Sequence, residues 1–163
     1  MVLSSGREAD YYIDARRSVL SPFASFVVGM LVAHQAHELG ATAVGGLTLG
    51  ADPVACAAIS ASADLQAFLV RKERKEHGLQ RWIEGPILNA GDRCLIVEDV
   101  VTTGGSVIEA IRRVRDEELD VVGVVSVLDR NAGGAKRIEA AAGAPYIPLT
   151  TIDDVFPERP DRD

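Results

Sequence analysis

The sequence predicts an α/β fold, a mostly parallel central sheet flanked by helices, on three observations. Short apolar runs recur at Ala43–Leu47, Ala67–Val70, Cys94–Glu98 and Val121–Leu128, each long enough for a strand covered on both faces. Segments rich in helix formers separate several of these runs. Such alternation is the pattern of a sheet joined by crossover helices. With 163 residues, 47% of them apolar, the chain fits one compact domain, 1–163, with a core of its own.

Taken in order, SSGREADYYID reads as a turn feeding a short strand within residues 1–20. Ser21 and Pro22 then supply an N-cap and a first-turn proline, Phe26, Met30 and Leu31 follow, and Gly40 supplies the stop, so a helix is expected over Pro22–Leu39. Asp52 and Pro53 open a second helix around Val54–Ser60. Ser106 or its neighbours open a third, to about Glu118, and Ala135–Ala142 is rich in helix formers. The tail after Phe156, residues 157–163, reads as frayed and solvated.

Composition narrows the function. No run reaches the roughly 18 uncharged apolar residues of a membrane helix, and MVLSSGREAD lacks a basic segment followed by an apolar one, so a soluble, cytoplasmic protein is expected. Cys56 and Cys94 lie far apart without CxxC spacing and read as small core residues. His34 and His37 lack HExxH spacing and read as ordinary helix positions. A net charge of −7 argues against sequence-independent nucleic-acid binding. An anionic substrate must therefore find a local basic patch.

The segment VEDVVTTGGS, Val97–Ser106, offers an anion site. A glycine-rich turn between a strand and a helix presents free backbone N–H groups at the edge where ligands sit in open α/β sheets. Gly104 and Gly105 let the backbone curl, Thr102, Thr103 and Ser106 add hydroxyl donors, and Glu98 and Asp99 place carboxylates where they can accept from sugar hydroxyls or face a metal. A bare TTGGS is equally well a capped helix start. The acidic pair favours a phosphorylated sugar. Neither GxxxxGK[ST] nor GxGxxG occurs, so nucleotide loops fit poorly.

Three further stretches carry charge or glycine. RKERKEHG, Arg71–Gly78, follows a strand and is cationic in an acidic chain. It reads either as a solvated helix with Lys72 and Glu76 paired or as a flexible loop over 71–85, and the lack of an apolar stripe up to Pro86 favours the loop. LTLGADP, Leu47–Pro53, is either an anion-facing turn or a plain βα connection capped by Asp52. Arg130 follows Asp129 at the end of a strand, either paired with it in a turn or facing the same sheet edge as Thr102–Ser106. Trp82 reads as a packing anchor.

The pattern of apolar residues, two acids, two apolar residues and TTGGS resembles the phosphoribosyl pyrophosphate signature of type I phosphoribosyltransferases. RKERKEHG followed by IEG, and the LDR of Leu128–Arg130, resemble the orotate phosphoribosyltransferases within that family. The resemblance implies the type I phosphoribosyltransferase fold with a flexible catalytic loop, phosphoribosyl pyrophosphate (PRPP) and orotate as substrates, and Mg²⁺ as cofactor. It also implies a homodimer that shares the loop across its interface. By it Lys75, His77 and Asp99 are catalytic, and Glu98, Asp99 and Thr102–Ser106 bind the 5-phosphate and ribose. Arg71, Lys72, Lys75, His77, Thr48, Leu49, Gly50 and Ala51 face pyrophosphate, while Thr102, Arg130, Tyr12 and Ile13 face orotate. Mg²⁺ is expected to be held mainly through substrate, near Asp99. The relatives often carry lysines where Ser4 stands and near Gly50, so contacts from those positions are expected to be lost or replaced. They usually also have a helical segment before LSSG, so either the start is truncated or misassigned or the N-terminal hood is reduced. Two other functions remain open beside this one: a purine phosphoribosyltransferase, and a non-catalytic regulator that senses PRPP.

Overall fold

The computed structural model describes Tyr11, residues 13–73 and residues 81–160. Helix α1 (Arg16–Val19) leads into α2 (Pro22–Glu38), followed by β1 (Ala43–Leu47), α3 (Ala51–Ala61), β2 (Gln66–Val70) and β3 (Ile83–Glu84). Then come β4 (Arg93–Val101), α4 (Gly105–Asp116), β5 (Asp120–Asp129), α5 (Gly134–Ala142), β6 (Tyr146–Thr151) and α6 (Ile152–Val155).

The strands form one sheet in the order β3-β2-β1-β4-β5-β6. Every pairing is parallel except β2 with β3. From β1 the chain moves outward to β2, and from β4 it moves outward the other way to β5, so the order reverses between β1 and β4. A cleft opens beyond the carboxyl ends of strands at such a reversal.

Two apolar layers bury the sheet. On one face Phe68 and Ile96 of the sheet pack with Val107 and Ile111 of α4 and Ile138 of α5. On the other, Val44, Leu95 and Val125 of the sheet pack with Val32 of α2 and Val54 of α3. At Gly29 a β-carbon would stand 2.3 Å from the Ala57 carbonyl oxygen, so α2 and α3 touch backbone to backbone. The outer side of α2 is also apolar, with Phe23, Phe26 and Met30 exposed.

Several expected boundaries move. β4 runs on to Val101, so Glu98 and Asp99 lie within the strand rather than at its end; pairing with β5 continues through Val101 opposite Asp129. α3 starts at Ala51 with Gly50 in the cap position, so Asp52 is inside the first turn and does not cap it. Ser21 precedes Pro22 but makes no side-chain cap, its carbonyl accepting from Ser25 N–H instead. Cys94 is buried as expected, whereas Cys56 is exposed, because it lies on α3 between the inward-facing Ala55 and Ala57. The short strand expected before residue 20 is not present at Ile13 or Asp14, where the chain turns into α1; residues 1–10 and 12 lie outside the described residues. Of the tail, residues 157–160 are tied back by an ion pair from Arg159 to Asp153.

Candidate active site

Three turns at the carboxyl ends of β1, β4 and β5 surround one cleft of about 460 Å³, a volume suited to a small-molecule ligand. Each turn is one that the sequence marked. β1 ends in Thr48-Leu49-Gly50, with a cis peptide between Thr48 and Leu49, and Thr48 N–H donates to the Val70 carbonyl at 2.9 Å. Thr48, Leu49 and Gly50 line the cleft. Ala51 is fully buried in the layer beneath and does not line it.

β4 brings the acids. Glu98 is 6% exposed, and its Oε1 accepts Asp99 N–H at 3.2 Å. Asp99 turns its own Oδ1 onto Val100 N–H at 2.8 Å. Burial, then the hydrogen bond and charge of Asp99, push the Glu98 carboxyl up to about 9. At neutral pH Glu98 therefore keeps its proton, which puts a hydrogen-bond donor beside the acceptor oxygens of the pair.

The glycine turn follows. Gly104 caps α4 in the left-handed region at φ 79°, with no side-chain cap, so the first-turn N–H groups are offered to the cleft side. Thr102, Thr103 and Ser106 line the cleft, and a recess along the same turn includes Gly104 and Gly105. α5 braces the turn from behind: Arg137 Nη1 donates to the Thr103 carbonyl at 2.7 Å. Gly134 packs so closely that a β-carbon would stand 2.7 Å from the Thr102 carbonyl oxygen.

β5 ends at Asp129, whose carboxylate takes Asn131 N–H at 2.8 Å. Arg130 lines the cleft, its backbone N–H is held by the Val101 carbonyl at 2.9 Å, and its guanidinium carbon lies 5.2 Å from the Tyr11 ring centroid. Ile13 also lines the cleft. Tyr12 lies outside the described residues, as do Lys75 and His77. Lys72 lines the cleft, while Arg71 pairs with Glu84 at 3.1 Å and donates to the Glu73 carbonyl.

Two charged cleft residues escaped the sequence reading. Arg16 approaches Asp99 Oδ2 at 3.9 Å and Asp14 Oδ1 at 3.1 Å, and both Asp14 and Arg16 line the cleft. The alternation of acid and base in IDARR was the available signal, but α1 is too short to show a periodic face.

A switch-point cleft with an acid pair facing a hydroxyl-rich glycine turn defines a phosphoribosyltransferase domain, and the model of the phosphoribosyl transferase domain matches residues 41–157. The orotate phosphoribosyltransferase of Streptomyces avermitilis is 51% identical over 150 residues, 90% of this chain and 82% of its own length. The chain belongs to that family, the orotate phosphoribosyltransferases. Among solved structures, Mycobacterium tuberculosis orotate phosphoribosyltransferase in complex with Fe(III) dicitrate superposes with a TM-score of 0.85 at 46% identity, covering 96% of this chain and 89% of that one. The same enzyme in complex with 5-phospho-alpha-D-ribosyl 1-diphosphate gives 0.80 at 41%, covering 95% and 88%.

Proposed function

We propose that this protein transfers the 5-phosphoribosyl group of PRPP to N1 of orotate, giving orotidine 5′-monophosphate and pyrophosphate in de novo pyrimidine (UMP) biosynthesis. The observation that carries the reading is the Glu98–Asp99 pair set across one cleft from the turn Thr102–Ser106, with Arg130 on its rim. Family membership and the M. tuberculosis relative solved with PRPP support the donor. The names of the relatives support the acceptor.

In the transfer, the bond from the anomeric carbon to pyrophosphate breaks and the bond to the base nitrogen forms, so positive charge gathers on the ribose and negative charge on the leaving group. Groups fixed in advance stabilise that separation best. First-turn N–H groups of α4 and the hydroxyls of Thr102, Thr103 and Ser106 grip the 5-phosphate, while Glu98 and Asp99 orient the ribose hydroxyls. Thr48, Leu49, Gly50 and Lys72 sit on the pyrophosphate side, to which Arg71, Lys75 and His77 are assigned by resemblance. Arg130 takes the orotate carboxylate with Thr102, Tyr12 and Ile13 along the ring.

Among the described residues no group of three or more His, Cys, Asp or Glu side chains converges on a metal position. Asp99, with its side chain 16% exposed in the cleft, fits a Mg²⁺ ion carried mainly by the substrate. Bound there, Mg²⁺ would supply charge neutralisation on the pyrophosphate. A homodimer is part of the proposal, supported by the apolar outer side of α2, where Phe23 is 80% and Phe26 63% exposed. A cytoplasmic location is likewise proposed; among the described residues no helix is long and apolar enough to cross a membrane.

A panel of bases with PRPP and Mg²⁺ tests the acceptor. Turnover of orotate alone is expected; turnover of adenine, guanine or hypoxanthine instead would make the protein a purine enzyme. PRPP binding without turnover, unchanged by Lys75→Ala, would make it a regulator.

A further inference from the structure

We propose that Arg113 is a positioning residue for the donor side of the cleft, acting through the stem of the basic segment on Lys72; the assignment rests on PRPP being the donor. Arg113 lies on α4, the helix whose first turn forms the phosphate site, and is only 8% exposed. Its Nη1 donates to the Arg71 carbonyl, its Nη2 pairs with Glu109 at 2.8 Å, and its guanidinium carbon lies 4.3 Å from the centroid of the Trp82 ring. Trp82 N–H donates to Glu117 Oε1 at 2.8 Å, and Arg71 N–H donates to the Trp82 carbonyl at 2.9 Å. Both ends of the segment from Arg71 to Trp82 are thus joined to each other and to α4.

The charge is costly to bury, and Arg113 Nε has no hydrogen-bond partner among the described residues. Packing against Trp82 alone would be served by an apolar side chain without that cost. What the guanidinium adds is a grip on the Arg71 carbonyl, one peptide from Lys72, which lines the cleft with Glu98. α4 therefore sets the phosphate turn and the Lys72 backbone from one rigid element, fixing the distance between the two ends of a bound donor.

The test is a cycle in the full chain: Arg113→Met, Arg113→Lys, Lys72→Ala and the Arg113→Met/Lys72→Ala double variant. Arg113→Met should raise KM for PRPP and lower kcat/KM by about 10- to 100-fold with KM for orotate unchanged. Arg113→Lys should recover most of the loss, and the double variant should be no worse than Lys72→Ala. A lowered Tm with an unchanged KM for PRPP, or losses that add in the double variant, would overturn the proposal. Should Arg113→Met not fold, Glu117→Ala, which removes the Glu117 carboxylate that accepts from Trp82 N–H, takes its place with the same expectations. If the wild type turns over no orotate, the function assignment fails on its own; the same cycle read as Kd for PRPP by calorimetry still decides whether Arg113 acts through Lys72.

Discussion

A β-carbon on Gly50 would stand 2.5 Å from Asp99 Oδ1 and 2.6 Å from Glu98 Oε1. The φ of Gly50 is −61°, so the glycine is required for space and not for backbone conformation. Gly50→Ala should therefore fold, with a stability loss of about 1 kcal/mol in urea unfolding. Its KM for PRPP should rise about tenfold or more, because the acids must move to admit the methyl group. Wild-type kinetics in this variant would show that the pair does not set donor binding.

Glu98 gives a pH dependence whose sign can be stated. Its folded carboxyl titrates near 9 against an ordinary 4.5, so between these values the folded protein holds a proton that the unfolded chain has lost. Stability should be fully present below the ordinary value and fall as pH rises towards 9. Urea unfolding of wild type and Glu98→Gln across that range is the check. The glutamine variant should lose this slope; an unchanged slope would show that Glu98 ionises normally.

The turn into α4, proposed to hold the 5-phosphate, distinguishes its two glycines. Gly104 has φ +79°, and a β-carbon there would stand 2.8 Å from Ile138 Cγ1, so Gly104→Ala should cost about 1–2 kcal/mol and weaken competition by inorganic phosphate. Gly105 has nothing within 4 Å of its β-carbon position and lies in the first turn of the helix. Gly105→Ala should keep wild-type stability, measured in the same unfolding experiment. Equal effects of the two would remove the reason given for Gly104.

Arg130 should act on the base and not on the donor. Arg130→Ala is expected to raise KM for orotate by the loss of a charged hydrogen bond, about 1.5–3 kcal/mol or roughly 10- to 100-fold, with KM for PRPP little changed. Arg130→Lys should recover only part, because an ammonium lacks the two-pronged geometry of a guanidinium. Parallel rises in both KM values would place Arg130 on the donor.

Much of the sheet could be read from the sequence because β1, β2, β4 and β5 are buried and announce themselves as apolar runs. β6 was not, since Pro148 interrupts it; among the described residues it is an edge strand that pairs only with β5, with Pro148 opposite Ser126, and the missing N–H there is tolerated. β3 is two residues long and depends on antiparallel pairing with Leu69 and Val70, which no local pattern reveals. The acid pair and the glycine turn were legible because they are contiguous. The contacts of Arg16 with Asp99, Arg113 with the Arg71 carbonyl and Arg137 with the Thr103 carbonyl were not, because each joins residues that meet only after the chain has folded back on itself.

The claim that this cleft makes orotidine 5′-monophosphate is tested most directly by following orotate absorbance in a mixture of the folded protein, PRPP and Mg²⁺. The account predicts a decay that requires all three and is abolished by Asp99→Ala. Absorbance that stays constant with folded wild-type protein would contradict it.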